Sequence, residues 1–126
     1  MELEDYAYAL GVQIVTETPP GGVWGDYCNS MRTIRLRPDL GPLQRAYTLG
    51  HELGHAYYEH IGCHPRMEWD ADVFAATMLI RRSEWAEITR THDTVEAVAT
   101  ELGVLPKVVR IYYEQISRDQ RHQMAA

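Results

Sequence analysis

The stretch from His51 to Asp72, HELGHAYYEHIGCHPRMEWDAD, carries four of the chain's six histidines, and the fold turns on it. Its first half continues an amphipathic pattern that begins upstream. In LQRAYTLGHELGHAYYEH, Leu43, Ala46, Tyr47, Leu49, Leu53, Tyr57 and Tyr58 recur three and four apart. This predicts a helix from about Pro42, with Gly62 beyond its end. His51 and His55 lie four apart on it, so both imidazoles share one face, about 6 Å apart along the axis, within reach of one ion. Glu52, next to His51, is placed to act on a water at that ion without itself binding the metal. A His-Glu-x-x-His match also arises by accident on exposed helices. Here the amphipathic setting, with Gly54 expected to face a partner strand, favours metal.

A catalytic zinc usually keeps three protein ligands and one open position, so a third donor is needed. Spacing removes several candidates. The metzincin pattern HExxHxxGxxH and ribonucleases of the HxxxHxxxxxH type both call for histidine at 61, and the former for glycine at 58. This chain has Ile61 and Tyr58, and His60 misses by one. Peptide deformylases draw a cysteine from a Glu-Gly-Cys motif, whereas Cys28 sits in DYCNS. The second half of the stretch opens another helix, from about Arg66 to Arg81, with Pro65 in its first turn. Trp69, Val73, Phe74, Ala76, Met78 and Ile80 supply its apolar contacts. Glu68 and Asp72 are one turn apart on it and share a face with Ala75, which is small enough for two helices to approach closely. Asp70 is rotated about 200° from Glu68 and is expected to face water. Helical phase therefore favours Glu68 as third ligand, with Asp72 hydrogen-bonding a ligating histidine. The plainer alternative is that Glu68 only complements the dipole at a helix N-terminus.

Working outward, residues 1 to about 10 predict a helix with Leu3, Ala7 and Leu10 on one face and Gly11 at its end. VQIVTE (12 to 17), GVWGDY (22 to 27) and MRTIRLRP (31 to 38), separated by turn material, suggest a small antiparallel or mixed sheet of three strands. The C-terminal third predicts two short helices, with an Asp93 and Glu96 capping box, Gly103 ending the first and Pro106 opening the second. At 126 residues and 45% hydrophobic, the chain is expected to form one α+β domain with a single modest core, residues 1–126. No apolar run reaches the roughly 18 residues of a membrane span, and the acidic MELEDYAYAL is no export signal. A soluble cytoplasmic protein with Cys28 and Cys63 as reduced thiols is expected. The net charge of −6 argues against a surface built mainly to hold phosphates.

HELGH followed by EWDADVFAATMLI resembles the zinc peptidase domain of the ImmA/IrrE family, whose second motif reads Glu-x-x-Ala-(Asp or Asn)-x-Phe-Ala. Glu68, Ala71, Asp72, Phe74 and Ala75 match it position by position. The E-x-x-x-D spacing is also similar to that of thermolysin-like gluzincins. The resemblance covers nearly the whole chain, including ELGVLPKVVRIYYEQI, similar to a helix-turn-helix-like segment at about 93–119. It implies a zincin-like helical core with Zn2+ held by His51, His55 and Glu68, Glu52 as catalytic base and Asp72 as support. It also implies a protein substrate, a helix-turn-helix transcriptional repressor encoded beside the peptidase on a phage or mobile element, whose cleavage relieves repression. The chain departs from the family in MLIRRSEW, where Leu-Leu-Met-Pro is common, and in Leu105, where a serine usually caps the next helix. Leucine lacks a capping oxygen, and Lys107 with Arg110 is a thin basic surface, so direct nucleic-acid binding is not expected.

The oxyanion of such a reaction needs a donor besides the metal. Tyr57, His64, Tyr112 and Tyr113 are the candidates, although tyrosines on helices more often pack in the core with a wet hydroxyl. Two other functions stay open. One is a regulatory module that contains zinc and binds a repressor without cutting it; the other is a structural zinc domain with no open coordination position.

Overall fold

Helix α2 (Pro42–Tyr57) packs on both the sheet that precedes it and the helix that follows it. The computed structural model describes residues 2–62 and 64–125. Before α2 come α1 (Leu3–Ala9), β1 (Gln13–Thr16), β2 (Gly25–Cys28) and β3 (Thr33–Leu36). After it come α3 (Pro65–Leu79), α4 (Arg82–Ile88), α5 (Val95–Leu102) and α6 (Pro106–Ala125). The architecture is α+β, with a small mixed sheet packed against helices.

The sheet runs in the order β1-β3-β2, with β1 parallel and β2 antiparallel to β3. β3 is therefore central, and its alternating Ile34 and Leu36 are buried. They pack with Ala7 and Val12 against Leu49, Leu53 and Ala56 of α2. β2 begins later than the β-branched pattern suggests, because Pro20–Gly22 forms a 3-10 turn before it.

A second apolar cluster joins α2 to the C-terminal helices through Tyr47, Ala75, Val98, Val104, Val108 and Val109. Here the observed elements depart from the predicted ones. The Thr94 side chain, not Asp93, caps α5, accepting from the Ala97 N–H at 3.1 Å. Gly103 ends α5 in the left-handed region as expected, but α6 is a 20-residue helix rather than a short one. Periodicity does not announce α4, since only its Trp85 and Ile88 are partly buried. Trp85 meets Tyr112 of α6 edge-on, with ring centroids 4.7 Å apart. No helix among the described residues is long and apolar enough to cross a membrane. Cys28 is free and exposed, while Cys63 lies outside the described residues.

Candidate metal centre

What places the site is the close approach of α2 and α3. Gly50 and Gly54, one turn apart on α2, face Ala75 and Ala71 on α3, not a strand. A Cβ on Gly54 would stand 2.8 Å from the Ala71 Cα, and one on Gly50 3.0 Å from the Ala75 Cβ. Only glycine allows two backbones this near. Because α3 lies so close, its Glu68 and Asp72 reach the histidines of α2. His64 fixes the start of α3, its Nδ1 accepting from the Arg66 N–H at 3.1 Å.

Nε2 of His51 and Nε2 of His55 are 3.2 Å apart, and Oε2 of Glu68 lies 2.8 Å from the first and 3.2 Å from the second. An ion held tetrahedrally with bonds of about 2.0–2.1 Å sets its ligand atoms about 3.3 Å apart, so the three atoms match one face of such a shell. Their chemistry fits as well. Two imidazole lone pairs and a carboxylate pointing at one spot repel unless a cation is shared between them. Among the described residues, these three form the group whose donor atoms converge in this way.

Asp72 holds His51 from behind. Its Oδ1 accepts from His51 Nδ1 at 2.7 Å and from the Tyr47 hydroxyl at 2.5 Å. Burial alone raises the Asp72 pKa, but these two hydrogen bonds and the Lys107 charge outweigh it and lower the pKa. For His51, burial works toward a lower pKa, yet the Asp72 hydrogen bond and the charges of Glu52, Asp72 and Glu68 raise it. His55 moves the other way, lowered by burial and by His51. The Tyr47 hydroxyl is pushed well up by burial and by Asp72, so it stays a donor. Lys107 sits 4.4 Å over the Tyr47 ring, and α6 thereby braces this chain of contacts.

Glu52 is buried beside this group, and its pKa is pushed up to about 7, first by desolvation and then by Glu68, Asp26 and Asp72, against the lowering influence of His51. Glu52 lines a cleft of about 640 Å³ together with His51, His55, Glu68 and the backbone and side chains of β2.

The structure thus brings His51, Glu52, His55, Glu68 and Asp72 together. Asp70 takes no part in the donor group, and its charge lies near Tyr58. The four proposed oxyanion donors are elsewhere: among the described residues, the cleft lining includes none of them. Tyr57 packs on Tyr58 and Phe74, Tyr112 lies against Trp85, Tyr113 is exposed on α6, and His64 caps α3. Two participants were hidden in the sequence. Tyr47 reads as an apolar position of α2, and His60, set aside by spacing as a ligand, has its Nδ1 3.0 Å from Nδ1 of His55.

A sequence profile described as the IrrE N-terminal-like domain, a peptidase family, matches residues 7–112. No curated protein matches the sequence significantly. Among solved structures, a Mycobacterium tuberculosis transcriptional regulator is similar in fold at 15% identity with a TM-score of 0.61. The likeness covers 86% of this chain and 38% of that one, so the chain spans well under half of that regulator's length. With its site built from the two helix motifs inside residues 7–112, the chain belongs to the peptidase family of the IrrE N-terminal-like domain.

Proposed function

We propose that this protein is a zinc-dependent endopeptidase that cuts a partner protein, a helix-turn-helix transcriptional repressor, and so relieves repression. The observation that carries the proposal is the convergence of His51, His55 and Glu68 beside a buried Glu52 in an open cleft. A structural zinc would be closed by a fourth protein ligand, and the described residues around the group supply three. The fold likeness to a transcriptional regulator agrees with a regulatory setting, while the repressor itself comes from the family resemblance.

His51, His55 and Glu68 would hold the ion and Asp72 would keep the His51 ring in place. Zinc, when bound, supplies a Lewis acid that polarises a scissile carbonyl and acidifies water. Glu52 takes a proton from the attacking water on its carboxylate and returns it to the leaving amine. Strand β2 is the sheet edge that lines the cleft. In its ladder the Arg37 N–H donates to the Trp24 carbonyl, so by antiparallel alternation Gly25 and Tyr27 turn their backbone groups to the free side. An extended peptide can add there as a further strand. Val23 and Ile61, both exposed at the cleft, offer apolar contact to its side chains. We read α5 and α6 as packing elements of one domain rather than a DNA reader, because Val98, Val108 and Val109 are buried in the core.

The test is co-incubation of zinc-loaded protein with any helix-turn-helix repressor found to be encoded beside it. The wild type is expected to cut the repressor, and Glu52→Gln to cut about 10²–10⁴-fold more slowly while keeping zinc. Full derepression by a zinc-loaded Glu52→Gln protein would instead make the chain a binding module.

A further inference from the structure

Helix α2 ends in an unusual way. Tyr58 closes it, and Glu59 then adopts φ +53, a left-handed conformation. Glycine is the ordinary occupant of that position, since a side chain there is strained. The Glu59 N–H donates to the Ala56 carbonyl at 3.2 Å, and the His60 N–H donates to the His55 carbonyl at 2.9 Å. This paired closure folds residue 60 back over residue 55, where an apolar contact commonly forms. Here two imidazoles meet instead, with ring centroids 5.2 Å apart and Nδ1 to Nδ1 at 3.0 Å. Tyr58 stacks on the His60 ring at 5.2 Å and 18°, fixing its plane.

Two ring nitrogens at this distance share one proton, one donating and the other accepting. The Nε2 of His55 faces Glu68 Oε2 and His51 Nε2, so as a metal ligand it must carry the lone pair. The His55 proton then sits on Nδ1, and among the described residues its acceptor is His60. We infer that His60 is a positioning residue for the metal centre, accepting the Nδ1 proton of His55 and thereby fixing that ring's tautomer and aim. It is the counterpart, on the second ligand, of what Asp72 does for His51. The difference is in charge: Asp72 is a carboxylate, whereas His60 with its own proton on Nε2 is a neutral acceptor.

This role rests on the zinc site proposed above, and the experiment separates the two. Zinc affinity is measured by chelator competition for wild type, His60→Ala and His60→Asn, with nitrogen NMR of the histidine rings in the loaded wild type. His60→Ala is expected to bind zinc about 10–100-fold more weakly. His60→Asn, whose Oδ1 can stand where Nδ1 stood, is expected to recover most of that loss. The spectra are expected to show a protonated Nδ1 on His55 and no metal on either nitrogen of His60. Unchanged affinity in His60→Ala, an Asn variant as weak as the Ala variant, or a metal-bound nitrogen on His60 would each overturn the inference and leave the zinc site standing. A wild type that takes up no zinc would overturn both.

Discussion

The residue with the sharpest conflict between burial and charge is Glu52. Its pKa rises from 4.5 to about 7 on folding, so between those values the folded chain holds a proton that the unfolded chain has released. The stabilisation is complete below the unfolded value and is lost as pH climbs through the folded one, up to roughly 3 kcal/mol in all. Chelator-treated wild type is therefore expected to become less stable in urea from pH 4.5 to above pH 7, more steeply than Glu52→Gln. Parallel pH profiles for the two would contradict this account of Glu52. At this scale the sequence was most informative where chemistry follows from spacing. His51, Glu52 and His55 sit on one helix, and Glu68 and Asp72 on one face of the next, so phase alone groups them. Tyr47 and His60 were not legible. The first is an apolar-looking position whose hydroxyl matters only once α3 brings up Asp72, and the second depends on a left-handed glutamate that no local preference predicts.

Between elements, the decisive contact is the glycine-to-alanine seam of α2 and α3. Gly54→Ala would drive its Cβ against the Ala71 backbone and the Phe74 Cβ, at 2.8 and 3.0 Å before any adjustment. The expected cost is about 1–3 kcal/mol by denaturant unfolding, with weaker zinc binding as Glu68 is pushed from the histidines. A neutral effect on both would show that the seam does not set the site. Ala75 could be read as a small residue for close packing, but the partner of Gly54 could not, because a lone glycine does not say whether a strand or a helix approaches. The parallel pairing of β1 with β3 was equally hidden. Alternation identifies strands, while their order depends on which edge α1 and α2 leave free. Helix α4 escaped because five of its seven residues are exposed, leaving two apolar side chains to mark it.

Across the whole molecule, α2 carries three jobs on three faces. One packs on the sheet, one sets its glycines against α3, which in turn meets α6, and the third presents His51 and His55 to Glu68. An ion bridging α2 and α3 would therefore tie the sheet half to the helical half. Saturating zinc, at about 1,000 times its dissociation constant, is expected to raise unfolding stability by about 4 kcal/mol, and chelation to remove the gain. A melting temperature indifferent to zinc would argue that no site forms in the folded chain. The helical half was readable as amphipathic segments, yet the length of α6 was not, since its last turns leave the core and their pattern fades into exposed charge. The central claim is that His51, His55 and Glu68 together hold one catalytic ion. The most direct measurement is zinc content per chain, after purification without chelator, for wild type, Glu68→Gln and Glu52→Gln. One equivalent in wild type and Glu52→Gln, with little in Glu68→Gln, is the predicted result; no zinc in the wild type, or a full equivalent in Glu68→Gln, would contradict it.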